Sequence, residues 1–254
     1  MIRHRWMLFC AGACAFLFAA SMLAAEEHEG HHWGYSGKYG PDHWAELDKS
    51  FAACNAGQRQ SPIAIVTAKR SDLPVLQFEY KSTPLHIVNN GHTIQINYAP
   101  GSFISVGDKR YELKQLHFHH PSEEKINGKG FAMVAHLVHA DSEGNLAVVA
   151  VLLDADRPNQ LIEDVWRHLP AHPGPEKVYD DVRISAAGLL PADHGYFRFS
   201  GSLTTPPCSE NVAWFVLKTP QSISTDQADT FGRIYPLNAR PVQPLNGREI
   251  LETK

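Results

Sequence analysis

KQLHFHHPSEE, residues Lys114 to Glu124, joins a β-strand pattern to a dense group of imidazole and carboxylate side chains. Side chains two apart on a strand share a face, so His117 and His119 point to one side together with Gln115. The leucine and the phenylalanine that precede the two histidines then pack on the other side. The stretch therefore predicts a strand with one apolar face and one face that carries two imidazoles.

A third imidazole is available in the next strand-like segment, AMVAHLVHA (residues 132–140), from His136 or His139. Neutral imidazoles from neighbouring strands suit Zn²⁺, and three protein ligands leave the fourth, tetrahedral position to water. Such a site would be catalytic rather than structural. The alternative is an ordinary, half-exposed pair of histidines in a sheet. His120 and His139 fall on the opposite strand face from the expected ligands, which favours structural roles for both.

A second metal-binding pattern competes with this one. HFHHPSE also matches His-x-His followed after three residues by Glu, the first motif of the cupins. Cupins are β-barrel proteins that often hold iron or manganese, and Glu123 would then be a ligand. Their second motif has Pro-x-Gly before its last histidine, whereas GKGFAMVAH (residues 128–136) contains no proline. The downstream sequence therefore disfavours a cupin.

Short β-type segments follow one another closely, separated by turn clusters such as APGS, GDKR and DSEGN. The segments lie at residues 85–90, 93–99, 102–106, 111–119, 132–140 and 146–154. The last is apolar on both faces, as a central strand must be. Helical patterns are few: an amphipathic stretch near 159–168 and another opened by a Ser/Thr cap near Ser224. The sequence therefore predicts a mainly β, single domain with a central, largely antiparallel twisted sheet and a few short helices.

The N-terminal stretch 1–25, with two arginines ahead of an uncharged run, is typical of a secretory signal peptide. Cleavage after Ala25 would release residues 26–254 to the periplasm as one domain, with a flexible, acidic and His-rich leader at 26–32. The mature chain would then have no stable membrane insertion. An uncleaved anchor is the alternative, because about twenty apolar residues can span a bilayer.

Without stretch 1–25, 21 Lys and Arg side chains face 27 Asp and Glu side chains, a formal charge of −6. This acidic balance argues against nucleic acid as a partner. Cys54 and Cys208 are then the two remaining cysteines, and an exported protein with two cysteines favours a disulfide. Two buried, reduced thiols are the alternative.

Taken in order, the motifs of this chain resemble those of the α-class carbonic anhydrases, in their exported bacterial form. The motifs are HHWGYSG (31–37), QSPIAI (60–65), NNGHTIQI (89–96), QLHFHHPSEE (115–124), AHLVHAD (135–141), GSLTTPPCSE (201–210) and ARPVQPLNGR (239–248). The similarity covers essentially the whole of residues 26–254. Each motif alone is weak, but their common order is specific. The resemblance implies a sheet of about ten strands.

The resemblance also implies roles for individual residues. The zinc ligands would be His117, His119 and His136. The gatekeeper pair that orients the nucleophile would be Glu123 and Thr204, with Thr205 beside it. The apolar wall that holds CO₂ would consist of Val138, Val148, Leu203, Val212 and Trp214. Gln115 would accept a hydrogen bond from His117, and His92 would be the proton shuttle. Cys54 and Cys208 would form a disulfide.

A member of this family would catalyse the reversible hydration of CO₂ to bicarbonate and a proton, by attack of a zinc-bound hydroxide on carbon. Two alternatives from other functional classes are a non-catalytic carbonic-anhydrase-like binding protein and a zinc-sequestering periplasmic protein. The presence of all three histidines with Glu123 and Thr204 argues against the first. Bacterial members are often dimers, so a homodimer is also an expectation.

One part of the pattern differs from that of many relatives. They carry Glu two places before the third zinc ligand and His after the gatekeeper Glu, whereas this chain has Val134 and Glu124. A metal-bound imidazole nearly always gives its other N–H to an acceptor, often a carboxylate. We therefore expect Glu124 to accept this hydrogen bond from His136. The alternative is a backbone carbonyl as acceptor, with Glu124 in solvent.

Overall fold

Strands dominate the computed structural model of the protein, which describes residues 32–254. The expected signal peptide and nearly all of the expected leader lie outside the described residues. The α-helices are α1 (Trp44–Leu47), α2 (Ala53–Ala56), α3 (Gln160–Trp166) and α4 (Thr225–Gly232). The strands are β1 (Ala64–Ile65), β2 (Lys69–Ser71), β3 (Leu76–Glu79), β4 (Thr83–Asn89), β5 (Ile94–Asn97), β6 (Phe103–Val106), β7 (Lys109–His119), β8 (Lys125–Ile126), β9 (Met133–Ala140), β10 (Leu146–Ala155), β11 (Lys177–Ile184), β12 (Tyr196–Ser202), β13 (Glu210–Leu217), β14 (Gln221–Ile223) and β15 (Leu251–Thr253).

Ten of these strands lie side by side in one sheet, in the order β11-β4-β5-β7-β9-β10-β13-β12-β15-β2. Three more join it at the side: β6 pairs with β7, β3 with β6, and β14 with β10. Most neighbours are antiparallel, and the parallel pairs of this sheet are β10–β13, β10–β14 and β15–β2. Strands β1 and β8 form a separate, parallel pair. The expected largely antiparallel sheet of about ten strands is confirmed.

All six strands predicted from the sequence are present, with ends within two residues of the predicted ones. The nine other strands within the described residues were not predicted, and the longest of these are β11, β12 and β13. The edge strand β11 is mostly exposed and carries Asp180 and Asp181 at a register shift, so it lacks the alternating apolar pattern. Strand β12 contains Gly201, which interrupts its pattern.

Apolar side chains pack on both faces of the sheet. The larger cluster contains Leu116 and Phe118, as predicted, together with side chains of both longer helices. Helix α3 buries Trp166 against it, and α4 buries Phe231. A smaller cluster, which includes Trp214, covers the opposite face. The helices therefore cover one face of the sheet and leave the other for the polar side chains of β7 and β9.

Both predicted helices are present, and the second begins at the expected cap, Ser224. The Asn159 side chain accepts a hydrogen bond from the backbone N–H of Ile162 at 3.1 Å, which starts α3. Ser224 and Gln227 form a reciprocal capping box at the start of α4. The one-turn helices α1 and α2 were not predicted, because four residues are too few to show a helical period.

Candidate metal centre

Strands β7 and β9 bring three histidines to one face of the sheet. His117 and His136 lie opposite each other in the antiparallel register, and His119 lies two residues further along β7. Side chains two apart on a strand share a face, so the rings project to the same side. One ligand nitrogen from each lies within 4.8 Å of the others, which is close enough for one metal ion to bind all three. The third imidazole, left open in the sequence, comes from His136.

Two nearby histidines, His139 on β9 and His120 directly after β7, have other partners. His139 projects to the opposite face of β9, where its Nε2 lies 2.8 Å from the hydroxyl oxygen of Tyr80. Burial lowers the pKa of His139 to about 3. The backbone N–H of His120 donates to the side-chain oxygen of Asn238 at 2.7 Å. Their placement agrees with the structural roles expected from the sequence.

His117 and His119 each have a hydrogen-bond acceptor next to Nδ1, which orients the ring. Nδ1 of His117 lies 2.8 Å from Oε1 of Gln115, and Nδ1 of His119 lies 2.7 Å from the backbone oxygen of Asn238. A nitrogen next to an acceptor carries the proton, so the lone pair of each neutral ring is on Nε2. Nε2 of His119 is fully buried and has no hydrogen-bond partner among the described residues. Such an unpaired buried nitrogen is costly, and a metal ion would satisfy it.

In His136 the other ring nitrogen, Nε2, lies next to the hydrogen-bond acceptor. Its Nε2 lies 3.1 and 3.3 Å from the two carboxylate oxygens of Glu124, which leaves the lone pair on Nδ1. The geometry matches the expectation for Glu124, whose side chain is buried rather than solvated. Burial disfavours the charged form of His136, but Glu124 and then Glu123 outweigh it, and the pKa of His136 is raised.

The charges of the other two rings favour metal binding. Burial, followed by the neighbouring His136, lowers the pKa of His117 to about 3. The same causes hold the pKa of His119 well below its ordinary value. Both rings are therefore neutral at physiological pH, with a nitrogen lone pair available. Three imidazole nitrogens without a thiolate or a carboxylate form a donor set that fits Zn²⁺.

Glu123 lies beside the triad, on the loop between β7 and β8. Its Oε1 accepts a hydrogen bond from the backbone N–H of Arg240 at 2.8 Å, and its side chain is fully buried. Burial raises the pKa of Glu123 to about 8; Glu124 adds to this effect, while His136 and Thr204 oppose it. Thr204 is buried near this carboxyl, and the second carboxyl oxygen of Glu123 has no hydrogen-bond partner among the described residues. The gatekeeper role of this pair stays a prediction.

An apolar wall stands next to His136. The Trp214 ring lies with its centroid 5.0 Å from that of His136, edge to face. Val148 pairs with Trp214 across the parallel β10–β13 register and with Val138 across β10–β9. The wall residues that belong to the smaller apolar cluster are Val138, Val148, Leu203, Val212 and Trp214. The structure thus brings together all five expected wall residues. Thr205, next to Thr204, is half-buried.

His92 lies in the turn between β4 and β5, and β5 pairs with the ligand strand β7. Its ring stacks on Trp33, with centroids 3.6 Å apart and planes 5° apart. The backbone N–H of His92 donates a hydrogen bond to the side-chain oxygen of Asn90 at 3.0 Å. Burial, with a smaller contribution from His32, lowers the pKa of His92 to about 4. In this position His92 is a weaker base than an ordinary histidine.

Cys54 and Cys208 are joined by a disulfide, so the alternative of two reduced thiols is wrong. The bond ties helix α2 to the loop that carries Thr204. In that loop the backbone N–H of Cys208 donates to the oxygen of Thr205 at 2.8 Å. The buried Arg240 guanidinium donates to the backbone oxygen of Cys54 and to the side-chain oxygen of Gln60. The disulfide and Arg240 together hold two distant segments beside the site.

Two residues beside the site, Asn238 and Trp33, have roles that sequence reasoning missed. Asn238 supports His119 through its backbone oxygen, and its side-chain N–H groups donate to the backbone oxygens of His92 and Phe118. A backbone acceptor has no side-chain signature, so no signal in the sequence could identify this role. Trp33 lies within a quoted motif, but nothing in that motif indicates that it stacks on a histidine.

Comparisons with known proteins place the chain in a family. A family model described as eukaryotic-type carbonic anhydrase matches residues 39–254. A carbonic anhydrase of Nostoc sp. is 45% identical over 225 residues, which cover 87% of this chain and 85% of that protein. One from Neisseria gonorrhoeae is 43% identical over 239 residues, which cover 93% of this chain and 94% of that protein.

Solved structures agree. The α-carbonic anhydrase of Thermovibrio ammonificans, in complex with sulfanilamide, matches with a TM-score of 0.84 and 43% identity, covering 89% of this chain and all of that one. The cupin alternative is therefore wrong.

Within residues 32–254, no helix combines the length and the apolar character that crossing a bilayer requires. The chain belongs to the α-class carbonic anhydrases, a family of enzymes.

Proposed function

We propose that the protein catalyses the reversible hydration of CO₂ to bicarbonate and a proton at a Zn²⁺ ion held by His117, His119 and His136. The observation that carries this proposal is that each imidazole has one nitrogen next to an acceptor, and that one nitrogen from each ring lies within 4.8 Å of those from the other two. In carbonic anhydrase itself, Zn²⁺ lowers the pKa of a bound water to about 7 and so supplies a nucleophile at neutral pH.

The gatekeeper pair would orient this nucleophile. The backbone N–H of Arg240 holds one oxygen of Glu123, which leaves the other for Thr204. The Thr204 hydroxyl can accept a hydrogen bond from the attacking oxygen only if it donates its own proton to Glu123. The pair would then turn a lone pair of the nucleophile toward the substrate. A Zn²⁺ ion held by the three histidines would favour the carboxylate form of Glu123, whereas burial raises the pKa of this group.

The apolar wall would hold CO₂, which has no charge and gains nothing from polar partners. Val138, Val148 and Trp214 are each less than one-tenth exposed and lie beside His136. A small apolar surface there excludes water from the position next to the nucleophile. Leu203 and Val212 would complete this surface, and Thr205 would line its polar side.

The proton released in each turnover would leave through His92. An imidazole with a pKa near 6.5 can pass a proton to buffer. The ring stacks on Trp33, and its burial, with a smaller contribution from His32, lowers the pKa of His92 to about 4. We propose that His92 accepts the proton after its ring turns away from Trp33.

Stopped-flow CO₂ hydration tests the proposal. The activity should be lost when zinc is removed, return when zinc is added, and accompany one tightly bound ion per chain. Tight binding of one ion with hydration at the buffer rate would favour a non-catalytic binding protein. Several bound ions would favour zinc sequestration.

We further propose that the protein is exported to the periplasm and that residues 1–25 are removed. The disulfide supports this, because such bonds persist in oxidising compartments. Mass spectrometry of the periplasmic protein would identify its first residue, and detection of the full-length chain in the membrane fraction would contradict cleavage. The same sample in light scattering would test the expected homodimer.

A further inference from the structure

Glu124 is fixed by backbone contacts on both sides. It lies between β7, which carries two histidines of the triad, and the short strand β8. The Ser122 hydroxyl donates to the Glu124 backbone oxygen at 3.0 Å. Directly afterwards, β8 pairs with β1, and the backbone N–H of Asn127 donates to the oxygen of Ile65 at 2.8 Å. The Glu124 side chain therefore starts from a defined position, although it belongs to a loop.

The carboxylate of Glu124 reaches the outer nitrogen of His136. Both oxygens lie near Nε2, at 3.1 and 3.3 Å, and the side chain has no exposed surface. The two nitrogens of an imidazole point in widely different directions, so a group on Nε2 cannot share an ion bound at Nδ1. Glu124 is therefore placed to orient His136 and not to bind the metal itself.

Strand β9 offers no acceptor of its own for this nitrogen. Val134 lies two residues before His136 and so projects to the same face. Its side chain is fully buried in the smaller apolar cluster and carries no polar atom. The acceptor for the β9 histidine thus comes from a different segment of the chain.

We propose that Glu124 is a positioning residue that holds His136 for zinc from the loop between β7 and β8, so that metal retention depends on this loop as well as on the ligand strands. The inference rests on the proposed zinc site. A charged acceptor makes the stronger hydrogen bond and raises the basicity of the ligand nitrogen. The contact fixes the tautomer of His136, with the lone pair on Nδ1.

The test compares acceptor and non-acceptor side chains of similar volume. Glu124→Met removes the acceptor, whereas Glu124→Gln keeps one neutral oxygen. We measure the zinc dissociation constant by competition with a chelator, and the zinc release rate after an excess of chelator is added. Glu124→Met should weaken zinc binding by 10–100-fold, as loss of such a contact typically does. Glu124→Gln should lose clearly less than Glu124→Met.

Two further variants serve as a negative and a positive control. Lys125→Ala alters the next residue, which is exposed and begins β8, and should leave zinc affinity within twofold of wild type. Gln115→Met removes the corresponding acceptor from His117 and should weaken binding as Glu124→Met does. Circular dichroism and thermal unfolding of the zinc-free variants would show whether each one folds. If Glu124→Met does not fold, Glu124→Ala replaces it under the same criterion.

The outcomes separate this inference from the proposed function. Zinc affinity of a folded Glu124→Met variant within twofold of wild type would overturn the positioning role. Equal losses in Glu124→Met and Glu124→Gln would also overturn it, because they would show that packing alone matters. If the wild-type protein itself binds no zinc, the proposed function fails, and the inference about Glu124 fails with it.

Discussion

Replacing Cys54 and Cys208 by alanine removes a covalent link between residues 154 positions apart in sequence. In the chain-entropy model, a link that closes a loop of this length restricts the unfolded chain by about 5 kcal/mol at 25 °C. The two buried sulfur atoms pack beside Trp44, and their loss leaves a small cavity that costs about 1 kcal/mol more. A domain of this kind has a free energy of unfolding of about 5–15 kcal/mol. We therefore expect the variant to be marginally stable.

Urea unfolding followed by tryptophan fluorescence measures the effect. Three forms are compared: the oxidised wild type, the wild type reduced with dithiothreitol, and the Cys54→Ala/Cys208→Ala variant. Oxidised and reduced wild type differ in the covalent link, whereas reduced wild type and the variant differ only in side-chain packing. The first difference should be about 5 kcal/mol and the second about 1 kcal/mol.

A difference below about 1 kcal/mol between oxidised and reduced wild type would refute the reasoning. It would mean that the unfolded chain without the link already keeps these segments close together, so that the link restricts little. The slope of the unfolding curve checks this, because a compact unfolded state exposes less surface and lowers the slope.

Three further predictions concern the site and the core. Thr204→Val should lower kcat/KM for CO₂ hydration by about 100-fold, because the nucleophile loses its orientation; unchanged zinc stoichiometry is the control, and unchanged kcat/KM would contradict the gatekeeper role. Trp33→Ala should raise the pKa of His92 from about 4 toward its ordinary value, because burial is the larger cause of the shift; an NMR titration that shows no rise would contradict this. His139 has a pKa of about 3 in the folded protein, whereas a histidine in the unfolded chain has a pKa of about 6.5. The free energy of unfolding should therefore fall as pH is lowered from about 6.5 toward 3, because only the unfolded chain binds this proton. The loss from this group is about 2 kcal/mol at pH 5, and urea midpoints of His139→Gln that fall as steeply as those of wild type would argue against it.

Much of the fold and of the site could be predicted because both depend on local patterns. The period of two in QLHFH determines which side chains of β7 face the site, and a buried strand shows itself as a continuous apolar run. The position of Glu124 was predicted from two departures in a motif, and the structure places its carboxylate on His136 as expected.

The unpredicted parts depend on contacts between distant segments. Arg240 donates to the backbone oxygen of Cys54, 186 positions away, and a backbone oxygen is the same chemical group at every residue. The acceptor for His119 is likewise the backbone oxygen of Asn238, 119 positions away. Strands β12 and β13 were missed although their side chains belong to the two apolar clusters, because a register shift at Gly201 and the positive φ of Asn211 interrupt the regular strand pattern.

The strand order has a consequence for how different parts of the site open. Strands β7 and β9 lie inside the sheet, each hydrogen-bonded to neighbours on both sides. Their amide hydrogens should exchange with deuterium only when the whole molecule unfolds, since no edge strand can fray to expose them. The turn with His92 and the loop with Glu123 carry fewer such bonds and should exchange through local opening. Deuterium uptake would thus distinguish the ligand strands, which exchange only on global unfolding, from the two connecting segments, which exchange through local opening.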